Sequence, residues 1–216
     1  MLAFITCDVG IEKKEWDNMI SIAVNKSFNA ISVDGETSTN DSFIGINAGE
    51  KIEKRFFPSI QKGINIVCQN LAKSIARDGE GANCLLEVLV QGAKSDKDAI
   101  KIAKFICNSS LVKTAIHGCD PNWGRIISAA GNSGIDFRFD LVDLYIGNFE
   151  ILKKGILSKY DPVKVTNYMR TRMTGKYLVE DIVRIKLHLN SGQGEGKAWG
   201  CDLSKKYIEI NSEYTT

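Results

Sequence analysis

The chain has 216 residues, 44% hydrophobic and 25% charged, enough to bury a substantial core as one domain or two small ones. Lysine plus arginine number 28 and aspartate plus glutamate 26, a formal charge of +2. That balance, with the basic residues scattered, argues against a nucleic-acid binder, and no run approaches the roughly 18 apolar residues that a membrane span needs.

The first segment, Met1-Leu2-Ala3-Phe4-Ile5-Thr6-Cys7, reads as a buried strand over residues 1–8. It lacks a basic run-in and ends at Asp8, so it does not read as a signal peptide. A chain that opens on core sequence suggests a processed subunit whose first residue has a task, and Met is the wrong residue for that task. Residues 11–25 read as an amphipathic helix with Trp16, Met19, Ile20, Ala23 and Val24 on one face. Ala30–Val33 and Phe43–Ile46 read as short strands either side of a polar loop, Asp34–Asp41. From Phe57 to Arg77 the spacing of Ile60, Ile64, Val67, Cys68, Leu71 and Ile75 predicts a helix. It should stop at Asp78-Gly79, with Gly79 supplying a left-handed cap.

A strand over 84–90 precedes a helix from Ser95, with Asp98 completing a capping box. Asp120-Pro121 reads as the cap and first position of another helix, ended by Gly131. A strand near 139–146 and a helix begun by Asp161-Pro162 follow. Residues 182–189 alternate as a strand, with Val183, Ile185, Leu187 and Leu189 inward. The glycine-rich run 191–196 reads as a hairpin turn, and 206–211 as a last strand. Helices and strands mix without strict alternation, which points to a layered α+β fold.

Few residues advertise chemistry. Cys7, Cys68, Cys84, Cys107, Cys119 and Cys201 form no CxxC pair and mostly sit in apolar runs. They read as buried, reduced thiols of a cytoplasmic protein. His117 and His188 are the only histidines, far apart in sequence, which disfavours a histidine triad or a multi-histidine metal site. Asp34, Glu36, Ser38 and Asn40 alternate like a calcium loop, but Thr39 and Gly45 occupy the sixth and twelfth positions, where such a loop has Gly and Glu. Gly192, Gly194 and Gly196 precede no helix and so make a poor phosphate cradle. Glu80 lies between Gly79 and Gly81 and reads locally as a solvent-facing turn residue. The run Thr114–Arg125 reads as a well-specified helix start.

Several segments together carry a resemblance. They are Met1–Asp8, Ser27-Phe28-Asn29, Asp34–Asp41, Asp78-Gly79-Glu80-Gly81-Ala82, Val112–Ile116, Asp120–Ile126, Ala198–Leu203 and Ile210–Thr216. In this order they resemble the beta chain of the glutamate N-acetyltransferase (ornithine acetyltransferase) family of arginine biosynthesis. The stretch 132–197 is the least distinctive. The resemblance implies a layered α-β-β-α sandwich completed with an alpha chain, here residues 1–80, and a C-terminal α/β portion, residues 81–216, whose last residues return to the active site. It implies a precursor that cleaves itself before a threonine, and an α2β2 heterotetramer. That threonine attacks the acetyl carbonyl of N-acetylornithine, and glutamate then takes the acetyl group. Neither a metal nor a bound organic cofactor is implied, although bifunctional members also use acetyl-CoA as acetyl donor.

Carried over by position, Glu80, Asn211 and Thr216 match the family's substrate-binding residues. The resemblance puts the nucleophilic threonine just before Met1, so no catalytic residue is expected within the chain, and acetyl transfer is expected only with that threonine and the alpha chain. Thr6 is no substitute, lying five strand residues, about 17 Å, further on. Two alternatives stand beside this reading: a self-processing aminopeptidase or amidohydrolase subunit, and a non-catalytic truncated binding subunit.

Overall fold

Strand β1 (Leu2–Cys7) pairs in parallel with β2 (Ser42–Asn47), Leu2 opposite Ser42 and Cys7 opposite Asn47. This is seen in a computed structural model that describes residues 1–213; Thr216, expected at the substrate, lies outside the described residues. The chain divides into two compact units, one of residues 1–29 and 36–72 and one of residues 30–35 and 73–216.

In the first unit, helix α1 (Lys13–Asn25) and the early turns of α2 (Phe57–Arg77) accompany the two strands. Trp16, Met19 and Ala23 are buried, as the helical spacing predicts. The Trp16 indole nitrogen donates to the Gly45 carbonyl at 3.0 Å, and Gln61 donates to the Met19 carbonyl at 3.0 Å. The sheet is asymmetric. Ala3, Ile5 and Cys7 share a half-buried face with Phe43, Gly45 and Asn47, and the opposite face of Leu2, Phe4, Ile44 and Ile46 is exposed.

Ala30–Val33 forms no strand: Phe28–Ala30 is a short 3-10 turn, and Ile31 makes a single bridge to Trp199. Asp34–Asp41 is therefore not a hairpin loop, and β2 instead finds its partner in β1, 40 residues away.

The second unit is a six-stranded sheet built from β3 (Leu85–Ala93), β4 (Asp143–Ile146), β5 (Phe149–Lys153), β6 (Ile156–Leu157), β7 (Ile182–His188) and β8 (Gly194–Cys201). The order is β6-β5-β4-β7-β3-β8, and only β3 and β7 run parallel. Helices α3 (Asp96–Asn108), α4 (Ser110–His117), α5 (Trp123–Gly131), α6 (Pro162–Arg172) and α7 (Lys205–Ser212) complete it. Leu86, Val88 and Val90 of β3 join Val183, Ile185 and Leu187 of β7 in one core with Ala99, Ile102, Ala103 and Ile106 of α3. The fold is α+β and layered.

Local signals set several of these elements. The Ser95 hydroxyl accepts from the Asp98 N–H at 3.2 Å and caps α3. Asp161 caps α6 by accepting from the Val163 N–H at 2.9 Å, with Pro162 at the first helical position. Elsewhere the structure departs from expectation. The cap of α5 is Asn122, two residues past Asp120, its side chain accepting from the Arg125 N–H at 3.2 Å. After α2 the left-handed residue is Gly81 (φ +69°), not Gly79. Residues 139–141 form a 3-10 turn before β4. The run 191–196 is no hairpin turn, because β7 and β8 flank β3 and the link crosses the end of β3. Its glycines serve close packing: a Cβ on Gly196 would lie 2.3 Å from the Ile100 nitrogen of α3. Residues 206–211 lie in α7 rather than a strand. Tyr207, Ile208 and Ile210 fit helical as well as strand spacing, and the Ser204 hydroxyl decides between them by accepting from the Lys206 N–H at 3.1 Å.

Candidate functional site

Within the second unit, three chain segments converge around the turn after α2. Arg77, in the last turn of α2, donates from Nε to the buried carboxylate of Asp181, and from Nη1 to the Ala82 carbonyl at 3.0 Å. The Ala82 N–H closes the turn onto the Gly79 carbonyl at 2.9 Å. Gly81 is obligatory: besides its positive φ, a Cβ there would lie 2.7 Å from Lys206 Cβ and 2.8 Å from Ser204 Oγ. The start of α7 thus packs directly on the turn, and the Ser204 hydroxyl donates to the Gly81 carbonyl at 2.7 Å.

This packing presents Glu80. Its carboxylate accepts from Asn211 Nδ2 at 2.5 Å, across 131 positions of sequence. Asn211 Nδ2 also donates to the Tyr207 carbonyl at 2.9 Å, which fixes it on the end of α7. Two of the three residues carried over from the resemblance are therefore in contact, and Glu80 is an exposed carboxylate rather than one spent on a buried ion pair. Asp34 reaches the same helix, accepting from the Tyr207 hydroxyl at 3.4 Å.

A second constellation lies beside the first and was not legible in the sequence. Asp202 is buried at the end of β8. One oxygen accepts from the Asn83 and Cys84 N–H groups at 2.7 and 3.0 Å, the other from Asn83 Nδ2 at 2.9 Å and His117 Nδ1 at 2.9 Å. Burial pushes the Asp202 carboxyl up, but these donors outweigh it and hold the group below its ordinary range. His117, at the end of α4, is 40% exposed. It lines a cleft of about 410 Å³ with Gly81, Asn83, Ser204, Lys205 and Lys206. Asp202 belongs to the Ala198–Leu203 motif, but no spacing rule connects it with a histidine 85 positions earlier.

Lys113 is also buried. Its ammonium donates to the Cys201 carbonyl at 2.6 Å and approaches Cys201 Sγ at 3.5 Å, tying α4 to β8. Burial pushes the Cys84, Cys107 and Cys201 thiols up, which keeps them protonated and poor as nucleophiles at neutral pH. Arg125 of the Thr114–Arg125 run donates to the Leu111 carbonyl at 3.0 Å, a contact that ties the start of α5 to α4. His188 accepts from the Asn190 N–H at 3.2 Å, at the far end of β7. Among the described residues no group of three or more His, Cys, Asp or Glu is placed to hold a metal ion, and no helix is long and apolar enough to cross a membrane.

Comparison with known proteins matches the sequence model of the ArgJ family over residues 1–216. The chain is 80% identical over 216 residues to the arginine biosynthesis bifunctional protein ArgJ of Prochlorococcus marinus subsp. pastoris, covering 100% of this chain and 54% of that protein. It is 46% identical over 222 residues to the arginine biosynthesis bifunctional protein ArgJ 1 of Nostoc sp., covering 100% of this chain and 54% of that protein. The crystal structure of the arginine biosynthesis bifunctional protein argJ from Bacillus halodurans superposes with a TM-score of 0.92 at 40% identity, covering 99% of this chain and 100% of that one. The chain spans about half the length of the curated relatives it matches.

Proposed function

The chain belongs to the ArgJ family, and we propose that it is one subunit of an acetyltransferase of arginine biosynthesis, moving the acetyl group of N-acetylornithine to glutamate. The observation that carries the reading is the Glu80–Asn211 contact. Two residues that the family resemblance assigns to the substrate meet across two otherwise separate segments. N-acetylornithine offers a side-chain ammonium and an α-carboxylate. Glu80 suits the ammonium, and Asn211 holds a polar end without neutralising it.

We assign the chain to the beta half of the precursor, on the order of its motifs from Met1–Asp8 to Ile210–Thr216. The nucleophile is then a threonine preceding Met1. Its own α-amino group, with an unperturbed pKa near 8, takes the hydroxyl proton as the oxygen attacks the acetyl carbonyl. The ornithine amine leaves with that proton. The amine of glutamate next attacks the acetyl-threonine ester, giving N-acetylglutamate and restoring the hydroxyl. Donors on the alpha chain stabilise the oxyanion of each tetrahedral intermediate. The exposed face of Leu2, Phe4, Ile44 and Ile46 supports a partner layer, because parallel strands are ordinarily covered on both faces.

The test is production of the entire precursor, followed by N-terminal sequencing of its products and assay with N-acetylornithine. A beta chain beginning with threonine before Met1, and acetate release that gives way to N-acetylglutamate when glutamate is added, are expected. Cleavage after residue 216 instead would make this chain the other half. Acetate released at equal rates with and without glutamate would establish a hydrolase.

A further inference from the structure

We infer that the cleft between the end of α4 and the start of α7 is an oxyanion-binding site, built for a carboxylate or phosphate group, with His117 as its oriented donor. The inference goes beyond acetyl transfer and stands on this cleft alone. Among the described residues that line it, three, His117, Lys205 and Lys206, are basic and none is acidic. Among the described residues the one carboxylate in contact with the histidine is Asp202, which lies buried beneath it. Both of its oxygens are already taken by Asn83, Cys84 and His117.

That buried carboxylate sets the tautomer of the imidazole. Beside an ionised Asp202 the Nδ1 of His117 carries the proton, and Nε2 is the edge with no partner among the described residues. A proton taken up from solvent together with the anion places an N–H on Nε2, and both ring nitrogens then donate charge-assisted hydrogen bonds, one to Asp202 and one to the ligand. The charged groups facing this position are Asp202 from the end of β8, and Lys205 and Lys206 from α7. Lys206 also reaches Glu209 at 3.2 Å, one turn further along its own helix. Lys205 forms no ion pair among the described residues.

Serine, histidine and aspartate all touch this cleft, yet they do not make a nucleophilic triad. The Ser204 hydroxyl donates to the Gly81 carbonyl at 2.7 Å and accepts from the Lys206 N–H at 3.1 Å, so its proton is committed away from His117. With no nucleophile beside the imidazole among the described residues, the arrangement binds rather than cleaves. Its oxyanion could come from the carboxylate of an amino acid or from the phosphate of a larger ligand.

The test is a titration of the protein made from the entire precursor, with inorganic phosphate in one arm and succinate, a carboxylate without an amine to acetylate, in the other. Imidazole NMR signals of His117, identified by their loss in His117→Gln, report binding. A saturable shift of those signals is expected, with the affinity weakened about tenfold in Lys205→Ala/Lys206→Ala, which keeps the histidine and alters only exposed side chains. Saturation by phosphate alone marks a phosphate-bearing ligand, and saturation by succinate alone marks a carboxylate. The absence of a saturable shift with either probe, or a shift indifferent to the double lysine substitution, overturns the site. Both readouts are independent of acetyl transfer, so the failure of either proposal leaves the other standing.

Discussion

Arg77 and Asp181 lock the turn that carries Glu80: the guanidinium Nε meets a carboxylate that is wholly buried, and that same carboxylate accepts from the Leu178 N–H at 2.7 Å. The ion pair joins the last turn of α2 to the segment that leads into β7. Removing the guanidinium leaves a buried charge with only a backbone partner. Arg77→Met is expected to destabilise the protein by about 3 kcal/mol, measured by urea unfolding, because breaking a buried pair costs more than the pair itself contributes.

Asp202 makes stability depend on pH. Its folded-state pKa is depressed by donors that outweigh the effect of burial. The stability it contributes is therefore present above the unfolded aspartate pKa of about 3.9 and is lost as pH falls through the lower folded value. Asp202→Asn is expected to lower the melting temperature at pH 7, with the gap to the natural protein narrowing below pH 4. A gap that stays constant across that range would falsify the linkage.

Glu80→Gln keeps the contact to Asn211 within reach and removes the charge. On the proposed role, KM for N-acetylornithine rises about tenfold or more, the scale of losing a charge-assisted hydrogen bond. Steady-state kinetics on the processed complex measure it, and an unchanged KM removes the ammonium from Glu80.

Phe4 and Ile46 are 54% and 52% exposed on the open face of the two-stranded sheet. Phe4→Asp/Ile46→Asp is expected to weaken association with the companion half by at least tenfold, because a charge is costly where a partner layer excludes water. Co-purification of the two halves reads this directly, and unimpaired association would place the partner elsewhere.

Gly196→Ala tests the packing of α3 on β8. Its new methyl group would meet the Ile100 nitrogen at 2.3 Å, so the helix must shift. A loss of about 1–3 kcal/mol in urea unfolding is expected, as for other overpacked sites. A variant as stable as the parent would show that the helix yields freely.

The legible parts of the fold were those encoded within a few residues of themselves. The apolar stripe of α2, the alternation of β7 and the caps Ser95 and Asp161 are local signals, and each formed where its pattern predicts. What failed was decided at a distance. Ala30–Val33 has strand composition, but its strand pairing is limited to the single bridge from Ile31 to Trp199. The tail 206–211 has strand composition too, and became helical through Ser204, whose hydroxyl is also held by Gly81. The glycines at 192–196 looked like a flexible turn because the helix and strand they pack against lie about a hundred residues upstream. Glu80 gained meaning only from the family resemblance, since a carboxylate between two glycines reads as surface. The His117–Asp202 pair carried no sequence signal, because its members sit on different elements and neither has a distinctive neighbour at fixed spacing.

The parallel pairing of β1 with β2 has a consequence for the cell. Among the described residues the ribbon has no other strand at either edge, and one face is apolar and exposed. Unpaired edges beside exposed apolar side chains are templates for self-association. On the proposed reading, synthesis of both halves as one precursor would deliver them in equal number and at the same place. Each ribbon would then meet its cover before it meets another ribbon, and self-processing would follow assembly rather than precede it.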